Sequence, residues 1–223
     1  MSENKQKTKN YKPIPCKVIL VGDSGVGKTC IINSYIDEYK ENTLATLSTS
    51  YYNKIEIIKD YKILFQIWDT VGQEQFRSIN SLFFKDAQIC LMVYDITREA
   101  SFKSIKEYWY ESVVNNGLDN VIFGIAGNKS DLYMNEKVDR DEVKEFCTDI
   151  NAAFHFTSAK ENNCINDLFR QLGEKFVNSN FMLEIGNEYF INNRNNSYNS
   201  FKITQNDKTK KHKGCCEYII TSK

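Results

Sequence analysis

Three short, almost unbroken apolar runs constrain this chain most: Lys17-Val-Ile-Leu-Val21, Ile89-Cys-Leu-Met-Val-Tyr94 and Val121-Ile-Phe-Gly-Ile-Ala126. Each is far too short to cross a membrane and none alternates between polar and apolar. Such runs suit strands buried on both faces, which a parallel sheet with helices on both sides requires. Helical patterns stand between and after them, at Lys28–Tyr35 and Phe102–Asn115. Asp139 followed by Glu142 makes a capping-box start for a helix through Cys147. Ile165, Leu168, Phe169, Leu172 and Phe176 share one face of residues 162–177. Lys54–Ile58 and Lys62–Trp68, separated only by Lys59-Asp60-Tyr61, read as a hairpin, and Phe154–Phe156 as a short strand. The expectation is a doubly wound α/β fold with one antiparallel pair in a mostly parallel sheet.

Charge refines this picture. The 223-residue chain carries 29 Lys plus Arg and 29 Asp plus Glu, a balance unlike that of a nucleic-acid binder. Residues 1–15 hold four lysines and one glutamate, and residues 179–223 hold seven basic and four acidic groups, leaving 18 basic against 24 acidic groups in 16–178. An acidic body with two basic ends suggests arms that meet an anionic surface. No secretory signal or membrane span is readable, so a cytoplasmic location is expected. The seven cysteines are scattered and odd in number, as reduced cytosolic thiols would be. Seven asparagines in 187–206 give that stretch a composition unable to order itself. We therefore expect a basic arm over 1–14, one domain over 15–178 and a disordered tail over 179–223.

Four motifs carry chemistry. Gly22-Asp-Ser-Gly-Val-Gly27-Lys28-Thr29 follows an apolar strand and opens a helix, the setting of a phosphate-binding P-loop. Its glycines let backbone N–H groups close around phosphate oxygens, Lys28 can reach the β- and γ-phosphates, and Thr29 can place a hydroxyl on Mg²⁺. Asn128-Lys129-Ser130-Asp131 follows another strand. Guanine presents two donors that the Asp131 carboxylate can accept as a bidentate pair, and adenine cannot match them. Asn128 could then donate to the O6/N7 side while Lys129 lays its stem along the base. Asp69, at a strand's end, can hold the Mg²⁺ shell through water, Gly72 can turn its N–H to a γ-phosphate, and Gln73 can orient an attacking water. Thr157-Ser158-Ala159-Lys160 offers backbone N–H groups to the guanine O6.

Taken in this order, the motifs resemble the Ras superfamily of small GTPases, over about residues 15–178. The strings Lys62–Trp68, Gln73–Ile79, Leu82–Ala87 and Leu91–Thr97 lean toward the Rab family. That resemblance implies a six-stranded sheet with about five helices. It also implies a monomeric GTP/GDP switch with Mg²⁺ that hydrolyses GTP and serves vesicle traffic. The nucleotide would be contacted by Asp23, Ser24, Gly25, Val26, Gly27, Lys28, Thr29 and Cys30, by Thr46 and Gly72, and by Asn128, Lys129, Asp131, Ser158, Ala159 and Lys160. Thr29, Thr46 and, through water, Asp69 would hold the metal, and Gln73 would be catalytic. The implied partners are effectors, an exchange factor and a GTPase-activating protein, with no nucleic acid.

Three departures from the family pattern stand out. Leu47-Ser-Thr-Ser-Tyr51 replaces the usual effector segment, Val71 stands where the family has alanine, and seven residues follow Cys216. Lys208, Lys210, Lys211 and Lys213 lead directly into Gly214-Cys215-Cys216. Lipid on Cys215 or Cys216 would attach the chain to the cytosolic face of a membrane; the terminal four residues close the C-a-a-X route and leave other prenylation, palmitoylation or no lipid open. No intrinsic arginine finger is evident near the P-loop or switch I, so a partner is expected to supply catalytic groups. A GTP-binding interaction module with negligible hydrolysis is the alternative reading.

Overall fold

A computed structural model describes residues 12–37, 50–70, 84–116 and 120–183. In chain order the elements are β1 (Ile14–Val21), α1 (Lys28–Tyr35), β2 (Ser50–Ile58), β3 (Tyr61–Asp69) and β4 (Ile89–Asp95). There follow α2 (Glu99–Ser104), a π turn (Ile105–Trp109), α3 (Tyr110–Asn116), β5 (Ile122–Asn128) and a 3₁₀ segment (Ser130–Asn135). The last three are α4 (Arg140–Asp149), β6 (Ala153–Thr157) and α5 (Ile165–Val177).

The six strands form one sheet in the order β2-β3-β1-β4-β5-β6. Only β2 and β3 pair antiparallel; every other neighbouring pair is parallel. The chain leaves β1 toward β3 on one side, then crosses to β4 on the other. Ligands of open α/β sheets bind at such a switch point, beyond the carboxyl ends of the strands. Register lines up what lies there. Asp95 pairs with Asn128, Asn128 with Thr157, and Leu20 with Asp69, so these polar groups occupy one end of the sheet.

Each face of the sheet carries its own core. On one, Tyr35 of α1 stacks on Phe169 of α5 at 3.8 Å between ring centroids, and Phe65 of β3 meets Phe169 edge-on. On the other, Phe102, Trp109 and Val113 pack over Tyr94 and Met92 of β4. Removing a ring such as Phe169 would cost about 3–5 kcal/mol. The apolar runs read as buried strands are buried in β1 and β4, whose described side chains are almost all below the surface.

Boundaries differ from the sequence reading in physically informative ways. β1 starts at Ile14, three residues early, because Ile14 is only 3% exposed and pairs with Ile63. β5 runs on to Asn128, held by its ladders to β4 and β6. The helix expected from Phe102 opens at Glu99. It contains a π turn in which the Tyr110 N–H donates to the Ile105 carbonyl, five residues back. Asp139 caps α4, accepting from the N–H groups of Asp141 at 2.7 Å and Glu142 at 3.3 Å. The Glu142 carboxylate, expected to complete the capping box, pairs with Lys106 of the π turn. Past α5, a further turn places Phe181 and Met182 against the core.

Candidate nucleotide site

β1 ends at Val21 and the chain wraps through Gly22–Gly27 into α1. Gly22 has φ +142°, and a Cβ there would fall 2.2 Å from the Val93 carbonyl oxygen of β4. Gly27 has φ +100°, and a Cβ there would fall 2.3 Å from Nδ2 of Asn128. Backbone conformation and close approach both demand glycine at these two positions. Lys28, the first residue of α1, is 6% exposed and turns its ammonium back into the loop. Its Nζ donates to the carbonyls of Gly22 at 2.7 Å and Asp23 at 2.9 Å. Burial pushes its pKa down to about 8, against the pull of the Asp69 and Asp23 carboxylates. The result is a buried cation whose hydrogen bonds go to neutral carbonyls, inside a ring of backbone at a helix N-terminus. An anion is the ligand that suits it.

Beside it, the Thr29 hydroxyl donates to Oδ2 of Asp69 at 2.5 Å. Asp69 is fully buried at the end of β3, and next to it the Thr70 hydroxyl donates to the Leu20 carbonyl at 2.5 Å. A hydroxyl and a carboxylate in contact are the oxygen donors a hard divalent cation takes, so the residues present fit Mg²⁺.

On the far side of the loop, Asn128 is 2% exposed and joins two motifs. Its Nδ2 donates to the Val26 carbonyl at 2.9 Å, and its Oδ1 accepts from the Thr157 hydroxyl and the Ala159 N–H, each at 3.3 Å. Asp131 accepts from the Ser158 hydroxyl at 2.6 Å, and the same hydroxyl oxygen accepts from the Glu161 N–H at 3.1 Å. Ser158 and Asn163 exchange two backbone hydrogen bonds, at 3.2 and 3.0 Å, closing the loop that carries Ala159 and exposed Lys160. Lys129 takes a left-handed backbone (φ 64°), and its Nζ meets Oδ2 of Asp95 at 2.6 Å. Burial would raise the Asp95 pKa, but hydrogen bonds from Lys129 and Thr97 outweigh it and hold the carboxyl below the usual range.

The structure thus gathers Gly22–Thr29, Asp69, Asn128–Asp131 and Thr157–Lys160 at one end of the sheet. Cys30 follows on α1, half-buried. Thr46, Val71, Gly72, Gln73, Cys215 and Cys216 lie outside the described residues. Three participants were not read from the sequence. Asp95 had a usable signal, since it ends a buried strand as Asp69 does. Trp109, within the helical pattern Phe102–Asn115, is buried and donates its indole N–H to Oδ1 of Asp23 at 3.0 Å. Arg98 also reaches the P-loop: its Nη2 donates to the Ser24 carbonyl at 3.1 Å. Residues so distant in sequence meet only through the fold.

A glycine loop at the switch point of a doubly wound sheet, with a buried lysine inside it, defines a P-loop nucleotide-binding domain. The family model described as Ras family matches residues 17–178. Ras-related protein RabJ of Dictyostelium discoideum is 35% identical over 175 residues, 78% of this chain and 66% of RabJ. GTP-binding protein ypt1 of Schizosaccharomyces pombe is 31% identical over 170 residues, 74% of this chain and 83% of ypt1. Ras-related protein Rab-26 of Bos taurus is 37% identical over 153 residues, 68% of this chain and 59% of Rab-26. The chain belongs to the Ras family, with Rab proteins among its relatives, and is a GTP-binding switch module of that kind. Among the described residues no helix is long and apolar enough to cross a membrane.

Proposed function

We propose that this chain binds GTP with Mg²⁺, hydrolyses it to GDP and phosphate, and works as a Rab-type switch in vesicle traffic. The observation that carries the reading is Asn128. One buried amide ties the phosphate loop at Val26 to the base loop at Ala159, so the two halves of a guanine-nucleotide site form one rigid unit. Asp131, oriented by Ser158, supplies the acceptor that guanine's two donors need. Lys28 neutralises phosphate charge from within the loop, and Thr29 and Asp69 would hold the metal. When bound, Mg²⁺ adds positive charge where the leaving phosphate becomes negative.

Catalysis in this class is positioning plus electrostatics, so the protein needs no general base of its own. Thr46 as a second metal hydroxyl, Gly72 as γ-phosphate sensor and Gln73 as orienter of water complete the proposal. An exchange factor, an activating protein and GTP-dependent effectors would act on the same site. Residues 15–178 would form the switch domain, flanked by the arm at 1–14 and the tail from 179. Lipid on Cys215 or Cys216 behind the lysine run would place the switch on a membrane's cytosolic face.

Single-turnover hydrolysis of bound GTP, with and without Gln73→Leu, tests this. Wild type should accumulate GDP, and the variant should keep GTP affinity while hydrolysing more slowly. Equal rates would remove Gln73 from the chemistry, and GTP persisting for many hours on wild type would make the chain a binding module.

A further inference from the structure

Arg98 leads into α2 from the end of β4, and 74 residues separate it from Ser24, whose carbonyl accepts from Nη2 at 3.1 Å. Its Nη1 lies 3.9 Å from the point where a Gly25 side chain would begin. The guanidinium therefore rests on the outer rim of the P-loop, across two consecutive residues. Its other interaction among the described residues is an ion pair from Nε to Oδ2 of Asp95 at 4.0 Å. That carboxylate is already engaged. Oδ2 meets Lys129 at 2.6 Å, and Oδ1 accepts from the N–H of Thr97 at 2.9 Å and its hydroxyl at 2.7 Å. The Arg98 side chain is 46% exposed and keeps hydrogen-bond donors to spare. A weakly neutralised, permanently charged group thus stands on the rim of an anion cradle.

We propose that Arg98 is a second cation of the phosphate site, supplied in cis from the β4–α2 turn, which holds the nucleotide's polyphosphate and slows its release. The inference rests on reading the P-loop as a GTP site. Through Ser24 alone, Arg98 would be a strap, and any N–H donor could replace it. Acting through charge, it can be replaced only by another cation.

The experiment compares dissociation of fluorescent GDP from full-length wild type, Arg98→Ala, Arg98→Gln and Arg98→Lys, with Mg²⁺ present, at low and high salt. The glutamine keeps a donor and loses the charge; the lysine keeps the charge. Loss of a charge-assisted contact at a half-exposed site should speed release about five- to tenfold in both Arg98→Ala and Arg98→Gln. Arg98→Lys should stay within about twofold of wild type, and the differences should shrink at high salt. Fast release from Arg98→Ala with wild-type release from Arg98→Gln would overturn the proposal in favour of the strap. Wild-type release from both would remove Arg98 from the site. Failure of the wild-type chain to bind GDP would instead overturn the GTP reading beneath it.

Discussion

Replacing Asn128 with alanine removes three hydrogen bonds from a side chain that is 2% exposed. The Thr157 hydroxyl can rotate toward another acceptor. The Val26 carbonyl and the Ala159 N–H are main-chain groups and cannot. Leaving each unsatisfied in the interior costs about 1–2 kcal/mol, so the pair costs about 2–4 kcal/mol. In a domain of this size 1 kcal/mol lowers the midpoint of unfolding by about 2–4 °C, so about 3 kcal/mol should lower it by roughly 6–12 °C. Affinity should fall as well, because the phosphate and base loops lose the amide that joins them. Thermal unfolding of the GDP-loaded protein reads the first effect, and GDP dissociation the second. Asn128→Asp is the informative companion. It keeps an acceptor for Ala159 and Thr157 but loses the donor to Val26, so it should also release GDP faster than wild type. An alanine variant that melts within about 2 °C of wild type and holds GDP equally well would refute the reasoning.

Two further outcomes follow from the site and the sheet edge. Asp131→Asn should weaken GTP and favour xanthosine triphosphate, whose carbonyl can accept from the new amide where guanine donates; competition binding with both nucleotides reads it, and unchanged GTP affinity would take Asp131 out of the base site. His155 on β6 has its pKa lowered by burial, against its hydrogen bond to Gln171 and the nearby Asp167 carboxylate. A group depressed on folding gives stability that is full above its unfolded pKa, near 6.5, and lost as pH falls through the folded value. Urea midpoints measured from pH 7 down to pH 5 should therefore fall more steeply for wild type than for His155→Gln.

How much of this was legible in the sequence depended on whether a signal was local. The strands at Lys17–Val21 and Ile89–Tyr94 showed themselves because burial on both faces leaves almost no polar residue in the run. The far end of β5 did not. Gly127 and Asn128 carry no strand signal, and their place in the sheet comes from pairing with Tyr94 and Asp95. The 3₁₀ segment was also silent, because Leu132, Tyr133 and Met134 are 41%, 63% and 81% exposed and define no buried face. Helical periodicity carried the Phe102–Asn115 helix but not its π turn, which adds a residue without breaking the apolar pattern. The P-loop and the Asn128 tetrad were readable because glycine and carboxylate chemistry leave short, ordered strings. Contacts such as Trp109 to Asp23 and Arg98 to Ser24 were not, since no spacing rule joins residues 86 and 74 positions apart.

The nucleotide that stays with the full-length protein through purification, and its fate, bears most directly on the central claim. A guanine-nucleotide switch should retain close to one guanine nucleotide per chain, chiefly GDP. Once reloaded with GTP and Mg²⁺, it should convert that GTP to GDP with the release of phosphate. Retention of an adenine nucleotide, or of none even when guanine nucleotide and Mg²⁺ are supplied, would contradict the account.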